Sequence, residues 1–202
     1  DYDAPISDLD DDGASGRSGI VQYLTEEMIE TIVDAFGTSA LRAKNCGFDM
    51  VMIHGGHGWL IHQFLSPFTN HRKDRFGGSL ENRTRFLTLV IDRIRKYCGD
   101  DFLIELRYSA DEYVEGGYGI EEAVEIRKIV EDKVDILHVS GGNFLFPETE
   151  FVMIPSAFSD NATHLHLAEE VKKNVSTVVS TIGALVDPEM MEDIIASGKA
   201  DM

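Results

Sequence analysis

The chain alternates between two hydrophobic rhythms. Behind Thr25, a residue suited to capping a helix, Ile29, Ile32, Val33, Phe36 and Ala40 recur at helical spacing. Glu26 and Glu27 complement the positive end of that helix, and Gly47 closes it. The largely apolar run Phe48–Ile53 then predicts a buried strand. The same order returns with a helix capped by Ser79, striped by Leu87, Val90, Ile94 and Tyr97 and ended by Gly99, ahead of a strand over Phe102–Tyr108. A helix near Ile120–Glu131 precedes a strand over Val134–Val139, and one near Thr163–Asn174 precedes a strand over Thr177–Ile182. Asp187-Pro188-Glu189 starts a last helix, with a capping acid and proline at the first helical position; Gly198 ends it. Apolar character returns at Ala200-Asp201-Met202, as the first residues of another strand.

Strands alternating with amphipathic helices imply a parallel sheet covered by helices. The loops behind the strands are large. The segment after Trp59 reads as a long polar loop, Gly116, Gly117 and Gly119 mark another, and Ser140-Gly141-Gly142 opens a third reaching Asn161. Enlarged loops at the C-terminal strand ends are where a TIM barrel, ~250 residues when whole, builds its active site. Periodicity alone leaves an open doubly wound sheet almost as well supported. Residues 1–24, with Asp1, Asp3, Asp8, Asp10, Asp11 and Asp12 among Gly and Ser, read as an acidic loop or tail ahead of a domain spanning 25–202.

Composition narrows the function. The 202 residues are 43% hydrophobic, enough for one domain with a sizeable core. Lys and Arg number 18 against 36 Asp and Glu, and the net charge of -18 disfavours nucleic acid and anionic membrane surfaces as partners. No apolar run approaches the ~20 residues that span a bilayer, and the start lacks a signal-peptide layout. Cys46 and Cys98 form no metal-type spacing and suit a reducing, cytoplasmic setting. Both ends read as cuts in a longer chain.

Candidate chemistry gathers behind the predicted strands. His54 and His57 are separated by Gly55 and Gly56 and followed by Gly58, so a ligand can approach the backbone while the rings offer N–H donors. On spacing alone they are as easily a satisfied pair of loop histidines, and without further acids they do not suggest a metal. Arg107 ends an otherwise apolar strand, where a cation must pair, with Glu105 for example, or serve a ligand. Gly183 and Ala184, between a strand and the helix at Pro188, suit a phosphate cradle, although an ordinary turn fits the spacing better. The density of Asn70, Arg72, Asp74, Ser79, Glu81, Asn82, Arg83 and Arg85 reads as a loop satisfying its own backbone, with His62 and His71 equally structural.

One stretch carries a family resemblance. H-x-x-H-G-W-L from His54 to Leu60, then QFLSP, N-x-R-x-D, GGS-x-ENR and RF, form a long ungapped string. It resembles the old yellow enzyme group, in particular the bacterial NADH:flavin oxidoreductases that include 2,4-dienoyl-CoA reductases and bile-acid-type enone reductases. The similarity runs from about Leu24 to Met202. The resemblance implies an FMN-dependent ene-reductase on a TIM barrel, of which this chain is a portion covering roughly strands four to seven and the start of the eighth. NAD(P)H is the implied reductant, and the substrate a small-molecule enone or enoyl-CoA. His54 and His57 would bind the substrate carbonyl oxygen, Arg107 would face the flavin N1 and C2 carbonyl, and Gly183 and Ala184 would contribute to the phosphate site. Trp59 departs from the tyrosine common in relatives, which donates a proton to the substrate. An indole is no useful acid, so Trp59 reads as a pocket wall, and the proton comes from solvent or from Tyr113, Tyr118 or His138. An iron–sulfur cluster and FAD domain, carried by larger members, would lie in a parent chain only. The competing expectation is a non-catalytic barrel fragment unable to bind FMN by itself, since its sheet edges stay unpaired. A different FMN- or phosphate-binding barrel is disfavoured by the combination of His54, His57 and Arg107.

Overall fold

The computed structural model describes residues 24–156 and 158–202, so the acidic segment expected as a tail lies, up to residue 23, outside the described residues. Helix α1 (Glu26–Asn45) is capped by Thr25, whose hydroxyl accepts the Met28 N–H at 3.2 Å. Strand β1 (Met50–Gly55) leads to a short helix, α2 (Leu60–Leu65), and then to α3 (Leu80–Cys98), capped by Ser79. Strand β2 (Leu103–Ser109), helix α4 (Ile120–Val130) and strand β3 (Ile136–Ser140) follow. A 3₁₀ turn (Pro147–Thr149) and the single-turn helix α5 (Glu150–Met153) precede α6 (Leu165–Lys172), β4 (Val178–Thr181) and α7 (Pro188–Ala196).

The strands form one parallel sheet of four in the order β1-β2-β3-β4. Side chains alternate between its faces. Ile53, Ile104, Leu106, Tyr108, Leu137, Val139 and Val179 point to the helix-covered side and join Phe86, Val90, Ile91, Ile126, Leu167 and Val171 in one buried cluster. The other face carries Met52 and His54, Glu105 and Arg107, Ile136 and His138, and Val178 and Ser180. At its N-terminal end Met52, Leu103 and Val178 are 48%, 41% and 38% exposed, so this face is apolar at the bottom, polar at the top and uncovered by the described residues. Beyond α7 the chain returns to the sheet: the Asp201 N–H bonds Val179 O at 2.8 Å and the Thr181 N–H bonds Met202 O at 2.9 Å, along the free side of β4. That is the strand start expected from the sequence.

The strands begin one or two residues later than the apolar runs suggest. Phe48 N–H still bonds Ala43 O at 3.2 Å, so it belongs to the turn closing α1, and pairing with β2 starts at Met50. The segment after Trp59 is not all loop: α2 buries Ile61, His62, Phe64 and Leu65. The GGS-x-ENR region does satisfy itself. Asn70 Nδ2 donates to Phe64 O at 2.6 Å and Phe76 O at 2.7 Å, Arg72 Nη1 to Leu24 O at 2.9 Å, and Arg83 to Glu122 at 2.6 Å.

Candidate active site

Pairing register sets one row of polar side chains across the top of the uncovered face: His54 beside Arg107, Arg107 beside His138, His138 beside Ser180. His57 stands just past the end of β1, in the left-handed region at φ 60, with its ring centroid 5.0 Å from that of His54. Its N–H donates to Ser109 Oγ at 3.0 Å, its Nε2 lies 2.8 Å from Ser140 Oγ, and its carbonyl accepts the Phe144 N–H at 3.3 Å. Burial, then the neighbouring Arg107, pushes the His57 pKa down to about 3 and lowers that of His54. Both rings are therefore neutral near pH 7, and each carries one N–H to donate. With His57 already engaged through Nε2 by Ser140, its other nitrogen is left for a ligand.

Arg107 does not hydrogen-bond Glu105, the partner its position suggested. Glu105 instead accepts from His138 Nδ1 at 2.7 Å, and Arg107 Nε is buried without a partner. Burial also lowers the Arg107 pKa, against the opposing pull of Glu105. His138 Nε2 and both ring nitrogens of His164 are likewise buried and unpartnered. His164 packs against the glycines of two loops, with the Cβ positions of Gly141 and Gly183 3.2 and 3.0 Å from its ring. Unsatisfied buried groups at the C-terminal end of a parallel sheet suit a ligand rich in carbonyl oxygens and ring nitrogens. The isoalloxazine of FMN is such a ligand.

Gly183 (φ 111) and Ala184 (φ 49) turn sharply after β4, and their carbonyls accept from Thr163 and Ala162. The α7 terminus is already capped: the Asp187 carboxylate accepts the Glu189 N–H at 3.0 Å. An anion at this turn would meet the Gly183-Ala184 backbone rather than a vacant helix end. Non-glycine residues with positive φ sit in each strand-following loop, namely His57, Tyr113, Ala162 and Ala184, so backbone strain is concentrated at this end of the sheet.

The sequence reading missed the layer beneath. Ser140-Gly141-Gly142, read only as the start of a long loop, is tied down: Gly142 N–H bonds Asp111 O at 2.8 Å and Gly142 O accepts from Ser109 Oγ at 2.8 Å. Glu112, Asn143 and His62 are fully buried among these loops. Nothing in their spacing marks them; Asn143 directly after the Gly-Gly pair was the one available signal. Trp59 is half-exposed and stacks on Phe144 with centroids 5.0 Å apart. Of the proton sources expected, Tyr118 is unsuited: its buried hydroxyl donates to Ser109 O at 2.8 Å, and burial raises its pKa well above the usual phenol value. Tyr113 is pushed up to about 12, mainly by burial. Among the described residues no cluster of His, Cys, Asp or Glu is placed to hold a metal, and no helix is long and apolar enough to cross a membrane.

Comparison with known proteins gives the chain its family. An NADH oxidase of Thermoanaerobacter brockii is 45% identical over 179 residues, covering 88% of this chain and 27% of its own length. A cinnamate reductase of Clostridium sporogenes is 40% identical over 195 residues, covering 89% of this chain and 29% of its own. A solved 2-naphthoyl-CoA reductase, in complex with 2-naphthoyl-CoA, matches with a TM-score of 0.83 and 33% identity over 90% of this chain and 27% of that one. The chain spans only 27% to 51% of the length of the first curated relatives it matches. Its structural neighbours include old yellow enzyme barrels, so the four-stranded sheet is a portion of a TIM barrel. The profile of one family matches residues 1–202, and the chain belongs to it: the NADH:flavin oxidoreductase / NADH oxidase family, of old yellow enzyme type.

Proposed function

We propose that this chain supplies the substrate-activating half of an FMN-dependent, NAD(P)H-driven ene-reductase. The observation that carries the reading is the neutral pair His54 and His57 standing beside an Arg107 whose buried Nε has no partner. Bound FMN supplies the hydride, taken from NAD(P)H, that adds to the β carbon of an α,β-unsaturated carbonyl compound. As that carbon gains hydride, negative charge grows on the carbonyl oxygen, and His54 and His57 stabilise it through preorganised N–H donors. Arg107 would hold the flavin ring system with its fixed positive charge, and the Gly183-Ala184 backbone would hold the phosphate. Trp59 and Phe144 wall the pocket with aromatic surface. The relatives named for cinnamate and 2-naphthoyl-CoA make conjugated aryl acids or their thioesters suitable first substrates. With a tryptophan at position 59, solvent delivers the proton to the α carbon.

The second reading is a barrel fragment that cannot hold FMN alone, supported by the uncovered inner face at Met52, Leu103 and Val178. The two readings apply to different objects, so one experiment separates them. The complete polypeptide carrying this chain is expected to purify yellow and to release FMN on denaturation, whereas residues 1–202 alone are expected to be colourless. A complete polypeptide that takes up no added FMN overturns the flavin reading. Residues 1–202 eluting as a compact yellow monomer overturn the fragment reading.

A further inference from the structure

We propose that Glu112 is a positioning residue that sets His57, acting through Asn143 on one side and His62 on the other. The relevance of this to catalysis rests on the reading of His57 as a donor to substrate. Glu112 lies in the loop after β2, fully buried, and its carboxylate gathers groups from three strand-following segments. Oε2 accepts the Tyr118 N–H of its own loop at 2.8 Å. Oε1 accepts from Asn143 Nδ2, in the loop after β3, at 2.9 Å, and lies 3.5 Å from His62 Nε2 on α2.

Besides the Ser66 hydroxyl, Asn143 and His62 meet this carboxylate, and these two hold the residues at and just after His57. Asn143 pairs with His57 in an isolated parallel bridge, and the next residue, Phe144, donates its N–H to the His57 carbonyl. His62 Nδ1 accepts the Gly58 N–H at 2.6 Å, which leaves the ring proton on Nε2, facing Glu112 at 3.5 Å by electrostatic approach and without a hydrogen bond. Gly58 (φ 83) is pressed so closely that a Cβ there would lie 2.4 Å from Asn143 Oδ1. His57 is thus kept in a left-handed conformation by contacts on both flanks that converge on one carboxylate. A non-glycine residue at positive φ costs free energy and persists only where its surroundings impose it. Burial raises the Glu112 pKa, so the group sits at a disfavoured place and is held by its donors, as expected of a buried acid with an organising role.

Glu112→Gln in the complete polypeptide tests this. Glutamine keeps the shape, but its NH2 must face either the Tyr118 N–H or, on the Oε1 side, both Asn143 and His62, so a donor meets a donor in each orientation. In a crystal structure of the variant, His57 is expected to leave its φ 60 conformation and the Phe144 N–H bond to its carbonyl to break. In stopped-flow work, oxidation of the reduced flavin by an enone is expected to slow about 10- to 100-fold, as for other residues that orient a ligand-binding side chain. FMN affinity is expected to change less than about twofold, because Arg107 is untouched. The swap Glu112→Gln with Asn143→Asp restores a complementary pair of reversed polarity and is expected to recover part of the rate. An unmoved His57 overturns the proposal whatever the protein reduces, as does a rate loss that only follows loss of FMN. If the unaltered polypeptide reduces no enone, the functional reading fails separately, and the position of His57 in the variant still decides the role of Glu112.

Discussion

His57→Ala and His54→Ala are each expected to slow hydride transfer to an α,β-unsaturated carbonyl by about 10²- to 10³-fold, the usual cost of removing one oxyanion donor. The expectation follows from charge and place. Both rings are held neutral by burial and by Arg107, so neither is a general acid at neutral pH, and each contributes an N–H dipole fixed before the reaction begins. His57 is the more rigid of the two, engaged by Ser109 at its N–H and by Ser140 at its ring. His57→Asn, which keeps an N–H donor near the same place, should lose about tenfold or less. Because both donors serve one oxygen, the double variant should cost less than the product of the single losses. The measurement is the rate at which an enone oxidises the pre-reduced flavin, compared with the rate at which NAD(P)H reduces it. Alanine variants that reduce enones as fast as the unaltered protein would remove the histidines from the mechanism. A loss confined to His54 would assign His57 to the architecture of the loop instead.

The sequence exposed the helix–strand order because burial imposes its period on every strand and helix here. Ile104, Leu106 and Tyr108 had to be apolar on the helix side of β2, and Ile29, Val33 and Ala40 on one stripe of α1. The histidine pair drew notice by its place behind an apolar run among glycines, but its spacing suits a satisfied loop pair as well, and the resemblance is what singled it out. Strand ends were less legible. His54 lies within a strand because it has a paired neighbour, and its polarity hides that from a reading that looks for apolar runs. Helix α2 was hidden by the polar residues around it. The Glu112 network lay beyond sequence reasoning altogether: its members are 62, 112 and 143 in the chain, and only the convergence of three loops brings them into contact. Arg107 shows the same limit from the other side. The alternative pairing with Glu105 was sound electrostatics, but the adjacent strand offered that carboxylate a histidine at 2.7 Å.

Acid is expected to unfold the protein through its buried histidines, and His62 isolates the effect. Its pKa is pushed down from 6.5 to about 3 by burial, while His57 stands at about 3 and His164 at about 4 for the same leading reason. In the unfolded chain each titrates near its ordinary 6.5, so the unfolded state takes up protons first as pH falls. Stability is therefore complete above pH 6.5 and is lost progressively below it, until the folded pKa is reached. Each histidine contributes a slope of about 1.4 kcal/mol per pH unit in that window. At pH 5 that is about 2 kcal/mol for His62 alone and about 6 kcal/mol for the three, against a typical domain stability of about 5–15 kcal/mol. Glu112 works the other way: raised by burial, it keeps its proton in the folded state at a pH where the unfolded chain has released it, and so softens the loss near its own titration. Urea midpoints of the complete polypeptide at pH 7 and pH 5 measure the sum, and His62→Asn separates one member. Asparagine can still accept the Gly58 N–H but takes up no proton. The variant should therefore be less stable at pH 7, by about 1–2 kcal/mol for the altered packing and hydrogen bond. It should lose less on acidification, so the two stability curves converge toward pH 5. Parallel curves would mean that His62 is protonated in the folded protein. The Gly58 N–H would then have lost its acceptor, and the ring would no longer fix the flank of His57.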